Sequence, residues 1–271
     1  MYLGVDVGGT KTLVASLDND GLIQECRKFA TPKVYNKLID ELADNVAKLS
    51  TKEFIAACFG LPGKIDKARG IVIAFGSEPW KNVPVQKDIQ RFIHSPLVIE
   101  NDAKLAGLSE SMLVKEYRKV LYVTISTGIG TGFIVDQKID PTMDNAEGGH
   151  MLLEHKGKMM TWQDFASGRA FAKRFGRRVS EITDMHSWQI IAHDIAVGLI
   201  DLIAVMQPEV IVFGGSVGAQ YGKFKKYLDE FLKEYENPMF NVPVIKEAAR
   251  PELAVIYGCY DLAKQIYGTA T

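Results

Sequence analysis

One arrangement of residues occurs twice in this chain. Tyr2 to Val7 is a short β-forming run that stops at Gly8-Gly9 and resumes as a second run from Thr12 to Leu17. About 120 residues later, Val120 to Ser126 runs into Thr127-Gly128-Ile129-Gly130-Thr131-Gly132 and returns through Phe133-Ile134-Val135. Strand, glycine-rich turn and return strand form one supersecondary unit. Its recurrence within 271 residues predicts a duplicated α/β fold, two similar halves flanking a cleft. Asn19-Asp20-Gly21 is a turn signal that extends the first unit into a third strand, near Ile23 to Phe29. Leu38, Leu42, Val46 and Leu49 recur at three- and four-residue steps and predict a helix. Phe54 to Phe59, Ile71 to Phe75 and Leu97 to Ile99 read as further strands, and Val85 to Ile93 as a short helix. In the second half, helices are predicted near Trp162 to Arg174, Trp188 to Met206, Lys223 to Tyr235 and Leu253 to Tyr267, with a strand at Val210 to Phe213. No Pro/Ser-rich linker separates the halves. The expected division is 1–103 plus 253–271 for one domain and 104–252 for the other, with the last helix packing back on the first half.

Composition narrows the function. Lys plus Arg total 32 and Asp plus Glu 33, a net charge of −1. A protein that neutralises many phosphates carries a basic excess, so a nucleic-acid partner is not expected. No apolar run of about 18 residues stands out, and no membrane association is expected. The start, Met1 to Asp6, lacks the regions of a signal peptide. Cys26, Cys58 and Cys259 are odd in number and far apart, which fits a reducing cytoplasm rather than a disulfide framework or a cysteine-rich zinc site.

Glycine-rich turns leave backbone N–H groups open to an anion. In Asp6-Val7-Gly8-Gly9-Thr10-Lys11-Thr12 the threonine hydroxyls and Lys11 add donors, and Asp6 at a strand end can hold a hydrated Mg²⁺. The alternative is a plain Gly-Gly hairpin. Ser126 to Gly132, with Thr127, Gly128 and Gly130, has the same character and the same alternative. Gly214-Gly215-Ser216 follows an apolar strand and precedes a helix. It is either a strand-to-helix connection needing positive φ or a place where backbone approaches a nucleotide. Three such turns in one chain are harder to dismiss than one. Neither a G-x-x-x-x-G-K-[ST] loop nor a helix-opening G-x-G-x-x-G is present, so P-loop and Rossmann dehydrogenase chemistry are disfavoured.

Glu100-Asn101-Asp102 ends a strand and opens a helix. Asp102 is either the helix cap, a role Asp favours, or a general base at the carboxyl end of a strand, where open α/β sheets place ligands. Glu147-Gly148-Gly149-His150 offers two side chains that can hydrogen-bond a polyol or ligate a metal. His94, His155, His186 and His193 have no evident partner and read as structural.

Taken together, these motifs resemble the ROK (repressor, open reading frame, kinase) family of sugar kinases, within the actin/hexokinase-like (ribonuclease H-like) superfamily. The N-terminal phosphate motif matches Asp6, Gly8, Gly9, Thr10 and Thr12. G-x-P-G matches Gly60, Pro62 and Gly63, E-N-D-A matches Glu100 to Ala103, and the second phosphate motif matches Ser126 to Gly130. E-x-G-H matches Glu147, Gly149 and His150, A-S-G matches Ala166 to Gly168, and the adenosine-side turn matches Gly214 to Ser216. The resemblance implies ATP as donor, Mg²⁺ near Asp6, Asp102 as catalytic base, a hexose as acceptor, and a homodimer. Asn101, Glu147, His150, Gln163 and Ser77 would contact the sugar. Two alternatives remain: a non-catalytic sugar or nucleotide sensor, and a kinase using polyphosphate.

The chain departs from the family pattern in three places. The family's cysteine-rich segment after E-x-G-H, which binds a structural zinc with the His, is replaced here by 154–163, which has no cysteine. No zinc is expected. Gln163 stands where the family has a sugar-binding Glu, and Ser77-Glu78-Pro79-Trp80 lacks the Asn of the sugar loop. These changes bear on which sugar is accepted. The phosphate motif begins at residue 6, so the sequence given has no space ahead of it for the DNA-binding module of the family's repressors.

Overall fold

Near-continuous apolar runs such as Tyr2–Val7 belong to strands covered on both faces, and the computed structural model shows how each face is covered. It describes residues 1–76 and 78–268. The chain divides into two units, Met1–Ser109 together with the segment from Glu252 onward, and Glu110–Pro251.

The first unit is built on a five-stranded sheet. β1 (Tyr2–Val7) pairs antiparallel with β2 (Lys11–Leu17), which pairs antiparallel with β3 (Ile23–Ala30). On its other side β1 runs parallel to β4 (Ala56–Leu61), and β4 runs parallel to β8 (Leu97–Asn101). A small antiparallel sheet of β5 (Lys64–Asp66), β6 (Ile71–Ala74) and β7 (Lys81–Val83) follows β4. Side chains alternate across the main sheet with the two-residue period of a strand. Leu3, Val5, Val7, Ala57, Phe59 and Leu61 join one core with Leu38 and Leu42 of α1 (Tyr35–Ala47) and Ile89 of α2 (Val85–Ile89). Tyr2, Ala56 and Cys58 face the opposite way, into a second core. This core contains Leu105 of α3 (Asp102–Ser111) and Ile256, Cys259 and Ala263 of the C-terminal helix α9 (Ala254–Tyr267). Helix and sheet approach closely there. A Cβ on Gly258 would lie 2.0 Å from the Leu105 carbonyl oxygen, and one on Gly60 would lie 2.5 Å from Val255 Cγ1.

The second unit repeats the strand order. β9 (Lys119–Ile125) is antiparallel to β10 (Ile129–Val135), and β10 to β11 (Lys138–Ile139). β9 is parallel to β14 (Val210–Gly214), and β14 to β15 (Val244–Glu247). A separate hairpin joins β12 (Leu152–His155) to β13 (Lys158–Thr161). The helices are α4 (Trp162–Ala166), α5 (Gly168–Phe175), α6 (Met185–Met206), α7 (Gly215–Gly218) and α8 (Tyr221–Lys233). The duplication expected from the glycine turns is therefore a shared strand order, an antiparallel meander on one side of the leading strand and two strands parallel to it on the other.

Three expectations need correction. The helix expected from Trp162 to Arg174 is two helices. Ser167 is extended (φ −83°, ψ 162°), and its hydroxyl accepts from Ala170 N, so Ser167 caps α5 and breaks α4. The glycine-rich turn after β9 is shorter than it reads, because β10 begins at Ile129 and Gly130 already pairs with Thr124. An apolar segment of membrane-crossing length does exist: α6 qualifies by length and composition. In the structure Ile191, Ile195, Leu199 and Ile203 of α6 are buried in the core of the second unit.

Candidate functional site

In the first unit, the turn between β1 and β2 is held from inside. Gly8 N–H donates to the Lys11 carbonyl (3.0 Å), and a Cβ on Gly8 would lie 2.8 Å from that oxygen. Thr12, expected as a phosphate donor, is fully buried. Its hydroxyl is 2.9 Å from the Thr31 hydroxyl, which donates to the Gly8 carbonyl at 2.7 Å. Thr12 therefore braces the turn. Gly9 and Thr10 form its exposed tip, and the Lys11 ammonium stands 3.7 Å from a Glu252 carboxylate oxygen. Lys33 Nζ donates both to the Gly9 carbonyl (2.9 Å) and to Glu78 (2.6 Å). Thr31 and Lys33 leave no local signal in the sequence, because their partners stand 19 to 45 positions away. Ser77, expected at the sugar, lies outside the described residues.

Asp6 sits near the end of β1, opposite Leu13 on β2 and Gly60 on β4. Its carboxyl is pushed up to about 7. Burial is the main cause, the Asp102 charge adds to it, and Lys11 opposes both. The charge of Asp102 is thus near enough to be felt at Asp6. Asp102 is the first residue of α3, where the helix dipole favours an anion. The cap itself is Asn101, not Asp102. Asn101 Oδ1 accepts from Ala103 N (2.9 Å) and Lys104 N (3.2 Å), while its Nδ2 donates to the Gly63 carbonyl (3.0 Å). Asp102 Oδ1 accepts from Ala103 N at 2.8 Å. Glu100, buried beneath, accepts from Asn101 N at 2.8 Å and pairs with Lys67. The E-N-D-A segment thus ties the Gly63 turn through Asn101, holds Lys67 through Glu100 and leads into the helix with Asp102.

In the second unit, Ser126 N–H donates to the Gly128 carbonyl (2.9 Å), closing a turn over Thr127. The turn is gripped by its neighbours. Gly168 N–H donates to the Ser126 carbonyl (2.7 Å), and Ser216 N–H donates to Ser126 Oγ (3.3 Å). Gly214 is extended, and a Cβ there would lie 1.9 Å from the Tyr122 hydroxyl. Gly215 adopts φ +78°, the left-handed conformation expected of this turn. A cavity of about 350 Å³ opens beside these turns, lined among others by Ser126, Thr127, Gly168, Arg169, Arg178 and Ser216. Neither arginine stood out in the sequence, although Arg169 directly follows the A-S-G motif.

Glu147 and His150 flank a short helical turn packed on β10. Gly148 N–H donates to Thr131 Oγ1 (3.0 Å), and a Cβ on Gly149 would lie 2.1 Å from the Ile129 carbonyl. Glu147 is part-buried and His150 exposed. Gln163, at the start of α4, brings its Nε2 to 3.3 Å from His150 Nε2. A Cβ on Gly128 would lie 2.8 Å from Gln163 Oε1, so the second phosphate turn and Gln163 are neighbours. The unit therefore gathers Gly128, His150 and Gln163 in one place.

The residues present do not fit the family's zinc. Such a site needs about four thiolate or imidazole ligands. The segment after His150 supplies no cysteine, and Cys26, Cys58 and Cys259 all lie in the other unit. Among the described residues, no three His, Cys, Asp or Glu gather as a metal cage. Mg²⁺ needs less, since it keeps its waters and takes one or two carboxylates. The Asp6–Asp102 pair is of that kind.

The ROK family pattern matches residues 2–266, and the chain belongs to the ROK family. A glucokinase of Streptomyces coelicolor is 29% identical over 191 residues, covering 66% of this chain. That match spans 60% of the glucokinase's own length. A putative fructokinase of Bacillus subtilis is 26% identical over 254 residues, covering 87% of this chain and 84% of its own length. Among solved structures, a ROK family glucokinase from Streptomyces griseus in complex with glucose and AMPPNP superposes with a TM-score of 0.81. It is 24% identical, with 97% of this chain and 99% of that one covered, a likeness of fold. The fold is thus the actin/hexokinase-like one expected.

Proposed function

We propose that this protein is an ATP-dependent sugar kinase that transfers the γ-phosphoryl group to a hexose hydroxyl, the 6-OH of glucose or a similar aldohexose. The observation that carries the reading is found in the first unit, Asp102 at the head of α3 with its charge felt at Asp6, which stands near the end of the strand before a glycine turn. Relatives that include a glucokinase and a putative fructokinase support it.

Phosphoryl transfer leaves a protein mainly positioning and charge stabilisation to supply. In this reading Asp102 accepts the proton of the attacking hydroxyl. The hydroxyl oxygen then bonds to the γ-phosphorus as the bond to the β–γ bridging oxygen breaks and ADP departs. Gly8 N–H is spent on the Lys11 carbonyl, so in the first turn Gly9, Thr10 and Lys11 are the donors offered to phosphate; Thr127 and Gly128 are the donors of the second turn. Gly214, Gly215 and Ser216, with the neighbouring cavity, take the adenosine side. Asp6 would hold a hydrated Mg²⁺, which when bound would neutralise phosphate charge. Glu147, His150 and Gln163 bind sugar hydroxyls, and Asn101 contributes the amide hydrogen left after its contact with Gly63.

A second reading, polyphosphate as donor, is favoured by the cavity wall. Arg169 and Arg178 among small and hydroxylated residues suit an anionic chain as well as a nucleotide.

The test is Asp102→Asn. It is expected to lower kcat on the order of 10²–10⁴-fold with hexose affinity retained by calorimetry. Unimpaired turnover would show that the base is another residue.

A further inference from the structure

The hairpin β12–β13 stands where the family's zinc segment would be, and a two-stranded hairpin alone is marginal in water. Its tight turn, Lys156-Gly157, has φ of 53° and 79°. The other end carries the sugar-side residues: Trp162 N–H donates to the Met151 carbonyl at 2.9 Å, and His150 and Gln163 flank that closure. Leu152 and Met159 of the hairpin are well exposed, so that face contributes little packing.

The turn end is fastened by His155. Its side chain is nearly buried and lies flat on Phe165 of α4, with centroids 4.3 Å apart and planes 7° apart. Its Nε2 stands 3.4 Å from Asp194 Oδ1. Asp194 is a buried carboxylate among the core-facing residues of α6, a placement that is unfavourable unless the charge is paired. It pairs with the Arg174 guanidinium of α5 and accepts from His193 Nδ1 at 3.3 Å. Its backbone carbonyl accepts from Trp162 Nε1 at 3.2 Å. Elements β12, α4, α5 and α6 therefore converge on Asp194.

We propose that His155, through Asp194 and Phe165, is a positioning residue that replaces the family's structural zinc and holds the His150–Gln163 edge in register for the sugar. The inference rests on the sugar-site reading given above. Its role is distinguishable from plain stability because the anchor acts on acceptor binding.

The test compares His155→Ala, His155→Phe and His155→Gln with the parent protein. His155→Phe keeps the ring stack and loses the N–H toward Asp194, so it decides alone if His155→Ala does not fold. Amide exchange in 152–161 is expected to rise about tenfold in the Ala and Phe variants. The hexose KM is expected to rise about tenfold while the ATP KM and kcat stay within about twofold, with partial recovery in His155→Gln. Wild-type exchange and hexose KM in a folded Phe variant would overturn the proposal, as would lower thermal stability with hexose KM unchanged. One zinc per chain by metal analysis, with stability lost to a chelator, would also overturn it. If the parent protein phosphorylates no hexose, the sugar-kinase reading fails, and the exchange readout still judges the anchor.

Discussion

Asp6 carries a proton affinity far from that of an ordinary aspartate, and the direction has a consequence. Its carboxyl titrates near 7 in the folded chain, against 3.8 for an unperturbed group. The folded state therefore binds more protons than the unfolded state between those values, and stability falls as pH rises through that window. Above about 7 the loss is complete, and below 3.8 it is absent. Asp6→Asn, studied metal-free, is expected to be more stable than the parent at pH 8, with the gain vanishing toward pH 4; denaturant titration at both pH values measures it. An equal difference at both would mean that the charge is not the cause. Asn101 makes a different prediction. Its Oδ1 serves two helix N–H groups, so Asn101→Ala is expected to lose about 1 kcal/mol of stability, as a lost cap does, besides any effect on sugar affinity.

At the scale of elements, two glycines of the second unit, one in the sugar-side turn and one in the phosphate turn, differ in how tightly they are enclosed. Gly149→Ala drives a methyl against the Ile129 carbonyl, fixed backbone, and is expected to destabilise the second unit by about 1–3 kcal/mol. Gly128→Ala meets the end of a flexible side chain, Gln163 Oε1, and is expected to spare stability while altering hexose KM. Thermal unfolding and steady-state kinetics separate the two. The sequence made the main strands legible because β1, β4, β9 and β14 are buried on both faces and read as apolar runs. It made Asp102 and the glycine turns legible because their spacing survives without any partner. It hid the α4–α5 break, since the apolar period continues across Ser167 and only the cap hydrogen bond reveals the interruption. It also hid the partner of His155, which is 39 positions away on α6, and the bracing of Gly8 by Thr31 across β3. Long-range polar pairs leave no local period to read.

At the scale of the whole molecule, one strand order used twice distributes the proposed work. The first unit offers the base and the first phosphate turn; the second offers the other turn, the cavity and the His150–Gln163 edge. The proposed kinase uses residues of each unit, and a sensor of the same fold would use them for binding alone. The most direct measurement is hexose-dependent ADP release from ATP over a panel of aldohexoses, N-acetylhexosamines and fructose, with the Asp102→Asn variant alongside. The account predicts turnover on an aldohexose that collapses in the variant. Sugar binding without ADP release on any member of the panel, or release indifferent to the variant, would contradict it.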